Sequence, residues 1–136
     1  MVVVRDEVVA VQIGQVAERT ELSIRTIRHY DDVGLIVPSA RSVGGFRLYT
    51  EPDVQRLLLV RRMKPLEFTL EQMRELLEAV DTVDDDGAAR VAREQARAVI
   101  GDYRRRAGER VEVLRTQLER AEELADRLGT LAADPA

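Results

Sequence analysis

The chain has no cysteine, no tryptophan and one histidine among 136 residues. The first absence excludes disulfides, zinc–thiolate sites, thiol redox switches and cysteine nucleophiles. Aromatic residues make up only 4%, against 34% charged residues. That is lean for a large enclosed core and suits helices that each bury one stripe. Long apolar runs are missing as well. Val2 to Val4 and Leu57 to Val60 fall far short of the ~20 residues that cross a bilayer. Arg5, Asp6 and Glu7 interrupt the apolar core that a signal peptide needs. A soluble cytoplasmic protein without a membrane partner is expected. The length allows one compact head and an appendage, and not two full-sized globular domains.

The net charge of -4 is unevenly spread. Residues 13–64 hold nine Lys/Arg against six Asp/Glu, whereas residues 65–136 hold 11 against 17. A basic front joined to an acidic back gives a chain one face for phosphate and another for something else.

Residues 1–10 read as a flexible valine-rich lead-in, with a short strand over residues 9–13. A helix starts near Gly14, with Ile13, Val16 and Ala17 on its buried side. Thr20-Glu21-Leu22 makes a turn, and the Ser23 hydroxyl can cap the next helix. That helix runs from Ile24 to about Val33 and ends at Gly34, a residue suited to the left-handed position after a helix. Two such helices joined by three residues constitute a helix-turn-helix. Residues 35–38 are extended. Residues 41–49 then read as a hairpin with a Gly44-Gly45 turn. Thr50 caps a helix over residues 51–64, which carries Val54, Leu57, Leu58 and Met63 inward and is stopped by Pro65. Thr69 starts another, with Leu70, Met73, Leu76, Leu77 and Val80 inward. Residues 81–87 form an acidic linker. Asp84-Asp85-Asp86-Gly87 is no calcium loop, since Thr82 would stand at its first position and the closing glutamate is displaced.

Residues 88–128 lack proline, and Val111, Leu114, Leu118, Ala121, Ala125 and Leu128 step by alternating threes and fours. This is a heptad seam. Upstream, Ala96, Ile100, Tyr103 and Ala107 continue it through a local stutter before Val111. No small head can bury such a seam, and an identical helix is the simplest partner. A short tail covers residues 129–136. The expected architecture is mainly α: a winged helix-turn-helix head over residues 11–80, with a small β-hairpin wing and a helical hairpin, followed by a long C-terminal dimerising coiled-coil helix.

A helix fits the DNA major groove with its first turns facing base edges. Ser23, Arg25 and Thr26 occupy those turns, and Arg25 is the candidate for direct readout. Gly44 and Gly45 let the hairpin backbone approach DNA, and Arg47 would reach phosphate or minor groove. The wing therefore contributes Gly45, Phe46 and Arg47 to the candidate contacts, although Phe46 and Tyr49 are weighted towards the core. Arg61, Arg62 and Lys64 add backbone contacts from the next helix. Tyr30 divides evenly between contact and core. His29 has no Cys or Glu partner with which to hold a metal. No nucleophile–base pair, phosphate loop or metal set is present, so no enzyme and no cofactor are expected.

Ile13-Gly14-Gln15-Val16-Ala17, the run from Ser23 to Asp31, Gly34-Leu35-Ile36 with Pro38, and Gly45-Phe46-Arg47-Leu48-Tyr49 together resemble the MerR family of bacterial transcription regulators over about residues 11–80. On that resemblance Arg28, His29 and Tyr30 look like the family's Arg-Tyr-Tyr group that holds phosphates and sugars, with His29 in place of the first tyrosine. The resemblance implies a homodimer on double-stranded promoter DNA. It would bend and untwist a spacer that sets two promoter elements too far apart, to the benefit of RNA polymerase. Soft-metal sensors of the family use cysteines near the coil's end, and drug or peptide sensors append a large C-terminal domain. Neither is expected here. An effector, if any, would sit near Tyr103 and residues 81–87. The competing reading is a DNA-architectural or recombination-accessory protein with the same head.

Overall fold

The computed structural model describes residues 2–3, 9–133 and 135. Residues 1 and 4–8 of the expected lead-in, and 134 and 136 of the expected tail, lie outside the described residues. Two compact units divide the chain, Met1–Asp81 and Thr82–Ala136.

The first unit opens with β1 (Val2–Val3) and β2 (Val9–Val11), followed by α1 (Ile13–Thr20) and α2 (Ile24–Asp32). β3 (Ala40–Arg41) and β4 (Arg47–Thr50) flank the wing turn. The strands form one antiparallel sheet in the order β1-β2-β4-β3. Then come α3 (Glu51–Met63), a 3-10 turn (Lys64–Leu66) and α4 (Leu70–Asp84).

Local chemistry fixes most of these ends. The Ser23 hydroxyl accepts the Thr26 amide at 3.1 Å, as its place before α2 predicts. Thr50 and Asp53 form a reciprocal capping box at the start of α3, with Pro52 in the first turn. Thr69 and Gln72 do the same for α4, at 2.9 and 3.2 Å. Gly34, at φ +72°, takes the left-handed backbone that ends α2. The head core gathers Val16 of α1, Ile27 and Tyr30 of α2, Leu57 and Val60 of α3, and Leu77 of α4. Burying each large side chain contributes roughly 1.5–3 kcal/mol. α2 is thus held by its apolar side, which leaves the opposite side to solvent.

Two boundaries differ from expectation. α4 runs on to Asp84, because nothing in Asp81-Thr82-Val83 breaks a helix and the stop falls at the turn before Gly87. The second unit is α5 (Arg90–Ala132), a 43-residue helix, which at 1.5 Å per residue is ~65 Å long. It passes Gly129 and Thr130 because Leu131 and Ala132 extend the same helical spacing and no proline intervenes before Pro135. Among the described residues, no helix is long and apolar enough to cross a membrane.

Candidate nucleic-acid interface

α2 is the centre of the site. Ile27 and Tyr30 are buried, while Arg25, Arg28 and His29 are exposed. At ~100° per residue the three lie within one stripe along the helix. Among the described residues, neither Arg25 nor Arg28 forms a hydrogen bond or ion pair. This sets them apart from Arg19 and Arg56 of the same head. Arg19 is paired with Glu51 at 2.6 Å, and Arg56 is paired with Asp81. Ser23 and Thr26 spend their hydroxyls locally: Ser23 caps α2 and donates to Thr26 Oγ1 at 2.9 Å. Tyr30 is 4% exposed and belongs to the core, with the Lys64 ammonium 5.9 Å from its ring centre.

The wing turn closes as the glycines predict. Ser42 donates its amide to the Phe46 carbonyl at 2.8 Å, and Gly45 donates to the Ser42 carbonyl at 2.9 Å. Gly45 has φ +84°, a conformation unfavourable for any residue with a Cβ. Phe46 is 74% exposed and Tyr49 only 3%. The core weighting therefore holds for Tyr49 and fails for Phe46. Phe46 belongs to the turn, ahead of β4 and its buried pair Leu48 and Tyr49, and its ring lies along Gly44.

Two basic residues expected to reach DNA have other partners. Arg47 Nη1 donates to Asp31 Oδ2 at 3.1 Å and so fastens the wing to α2. Arg61 Nη1 donates to the Thr20 carbonyl at 2.8 Å, and its Nη2 stands 3.4 Å from Glu21. It closes the C-terminus of α1, where Glu21 adopts φ 57°. Arg62 is exposed. Arg41, paired in register with Arg47, is exposed at the wing. It was not singled out in the sequence, although its place at the hairpin mouth was readable.

Asp53 is a second residue whose role the sequence hid. It is 6% exposed. One of its oxygens accepts the Ser39 amide at 2.9 Å, the Ser39 hydroxyl at 2.6 Å and the Thr50 amide at 2.9 Å. Ser39 precedes β3 and Thr50 ends β4, so one buried carboxylate holds both feet of the wing. The Tyr49 phenol is pushed up to about 12, first by burial and then by the charges of Asp31 and Asp53. It stays neutral and packs.

In the second unit, the expected seam is open to solvent. Val111, Leu118 and Leu128 are exposed, as are Ala121 and Ala125, and Leu114 is half-buried. Leu124 and Leu131, seven apart, are also exposed and widen the stripe. Upstream, Ala96 and Tyr103 are buried, with the Arg106 guanidinium 5.0 Å above the Tyr103 ring.

With this geometry established, comparison with known proteins is direct. Residues 11–80 match the family described as MerR HTH family regulatory protein. The transcriptional regulator ZntR of Escherichia coli K12 is 46% identical over 66 residues, which are 48% of this chain and 47% of ZntR. The transcriptional regulator HmrR of Rhizobium leguminosarum is 36% identical over 104 residues, covering 76% of this chain and 78% of HmrR. The chain thus spans about half the length of ZntR, and more of HmrR. Among solved structures, HiNmlR, described as a MerR family regulator lacking the sensor domain and bound to promoter DNA, superimposes with a TM-score of 0.63 at 22% identity. That match covers 90% of this chain and 89% of HiNmlR and shows a shared fold. The matched segment begins at the strand before α1 and ends within α4, so it takes in the helix-turn-helix, the wing and the helical hairpin. This chain belongs to the MerR HTH family of DNA-binding transcription regulators.

Proposed function

We propose that the protein acts as a homodimer that reads promoter DNA with two copies of α2 and strains the spacer between the half-sites. The observation that carries this reading is the exposed cationic stripe of α2, in which Arg25 and Arg28 have no internal partner. Unpaired guanidinium groups on a rigid helix suit base edges and phosphates. Arg25, in the first turn, is the base reader, ideally bidentate to guanine. Arg28, His29, Arg41 and Arg62 hold backbone, and Gly45 and Phe46 bring the wing tip to the duplex. Base contacts set the sequence, and phosphate contacts set affinity and its salt dependence.

The α5 seam supports the dimer. A stripe with Val111, Leu118 and Leu128 exposed matches the pattern that a second identical helix covers. Two heads joined by a stiff coil impose one half-site separation, and DNA that does not fit it must bend or untwist. That is a route to realigning promoter elements for RNA polymerase in the cytoplasm. HiNmlR, a protein of the same fold, is described as bound to promoter DNA, which favours this reading over an architectural or recombination role.

The test is footprinting on genomic fragments, followed by transcription from promoters of altered spacer length. A two-fold symmetric footprint, with activity that depends on spacer length, is expected. A purified protein that binds no duplex at low salt would overturn the reading.

A further inference from the structure

Ile24 is the first residue of α2, and it is 38% exposed. The other isoleucines of the head are placed differently. Ile27 and Ile36 are buried, and Ile13 packs against the core. The ordinary reasons for an apolar residue at the start of a helix do not apply to Ile24. Leu22, just before the cap Ser23, packs against the same core cluster as Ile27 at the fourth helical position, which is the arrangement of a hydrophobic staple. Helix propensity gives no reason either, since a β-branched side chain ranks below alanine and leucine.

At ~100° per residue, Ile24 lies one turn ahead of Arg28 and beside Arg25, on the exposed stripe of α2. Ser23 turns its hydroxyl into the helix, accepting the Thr26 amide at 3.1 Å and donating to Thr26 Oγ1 at 2.9 Å. Thr26 is itself half-buried. The first turn therefore presents two exposed side chains of opposite kind, a guanidinium and a branched hydrocarbon. In the major groove a hydrocarbon finds one apolar partner on the base edges, the 5-methyl group of thymine. The other edge groups are donors and acceptors, which Ile24 would strip of water without replacing it.

We infer that Ile24 is a specificity-determining residue that reads a thymine in each half-site through its 5-methyl group, next to the base read by Arg25. The inference rests on the reading of α2 as a groove-reading helix and adds a feature of the DNA that it takes. The two contacts obey different physics. Arg25 acts through directed hydrogen bonds, whereas Ile24 acts by removing apolar surface from water, so deleting carbon from either partner abolishes its preference.

The experiment uses the full chain and a duplex carrying its footprint, with each thymine replaced in turn by deoxyuridine. That replacement removes the methyl group and keeps the hydrogen bonds of the base pair. Fluorescence anisotropy should find one thymine per half-site at which the wild-type protein loses about fourfold in affinity, the worth of one buried methyl-sized group. Ile24→Ala should bind the thymine and uracil duplexes alike at that position, and Ile24→Val, which keeps the branch, should retain the preference. The urea midpoint of Ile24→Ala should stay at the wild-type value, because the side chain lies outside the core. Indifference of the wild-type protein to every thymine methyl would overturn the inference, as would an Ile24→Ala protein that still discriminates. A fall in the urea midpoint large enough to account for the lost affinity would also overturn it, by returning Ile24 to the core. Failure of the wild-type protein to bind any duplex is a separate result and strikes the functional reading itself.

Discussion

Helices α2 and α5 are both amphipathic, and they expose opposite things. α2 buries Ile27 and Tyr30 and exposes Arg25 and Arg28 without acidic partners. α5 pairs many of its cations along its own length, as in Arg90–Glu94, Arg105–Glu109 and Arg115–Glu112. In its distal half it exposes Leu118, Leu124 and Leu128 instead. A pair three or four residues apart on a helix contributes only ~0.2–0.5 kcal/mol and leaves little charge for a partner. Helix α2 has therefore buried Ile27 and Tyr30 and left Arg25 and Arg28 unpaired, and the distal half of α5 has done the reverse. On the proposed reading each is half of a different interface: a polyanion completes the first, and an apolar surface completes the second.

The sharpest way to break this comparison is to charge the seam. Leu118→Asp should convert dimers to monomers, at a cost on the order of 2–5 kcal/mol per copy for the lost side chain alone. Light scattering reads the outcome as a halved mass, and the urea midpoint of the head should not move. An unchanged mass would mean that the exposed stripe is not the dimer contact. The next largest effect is expected in the wing. Asp53→Ala strips the partner from two amides and a hydroxyl at once, so a loss of about 1–3 kcal/mol in head stability is expected from urea melts. If the wing is part of the DNA surface, affinity should fall further than stability accounts for.

What the sequence made legible follows the range of each interaction. The caps at Ser23 and Thr50, the Gly34 stop and the Gly45 turn depend on neighbours within a few residues, and each is where its residue type predicts. The exposed apolar stripe of α5 was legible too, because a heptad spacing is a property of one helix. The Arg47–Asp31 and Arg61–Thr20 contacts join residues 16 and 41 positions apart. No local pattern distinguishes such an arginine from one that faces solvent, so both looked like DNA contacts. Asp53 was partly visible as the partner of Thr50 in a capping box, but its hold on Ser39 needed the folded hairpin. Phe46 is an aromatic like Tyr49, and residue type alone does not distinguish the ring left at the turn from the one three residues on that enters the core. Lys64 was legible as a basic residue, but its place over Tyr30 and beside His29 appears only once the 3-10 turn is folded.

A subtler probe sets Arg25 against its neighbours on α2. Arg25→Ala should relax preference at one base position by about 1–3 kcal/mol if the contact is bidentate. Competition assays with single base-pair variants of the footprint measure it. Uniform weakening across all sequences would move Arg25 from base reading to the phosphate class, beside Arg28. That would erase the division of labour along α2 and leave its comparison with α5 intact.

The smallest effect concerns how ion pairs differ between the two regions. Glu51 accepts both guanidinium nitrogens of Arg19, at 2.6 and 2.8 Å, and joins α1 to the first turn of α3. The Arg19 bond, with help from Gln55, holds its carboxyl down at about 2, below the ordinary 4.5. A carboxyl lowered by folding stabilises the head above about 4.5, and that contribution drains away as pH falls towards about 2. Both side chains are about half exposed, at 43% and 54%, so solvent screening limits the pair to about 0.2–1 kcal/mol. Glu51→Gln should therefore lower the urea midpoint slightly at neutral pH, and the gap to wild type should narrow on acidification. Asp102, lowered by Arg105 on α5, provides the contrast. Its partner is three residues away on the same helix, so that pair can persist wherever the helix persists, while the Glu51 pair requires the assembled head. Asp102→Asn should leave the pH dependence of head unfolding unchanged. If it shifts that dependence as much as Glu51→Gln does, the two units do not unfold independently.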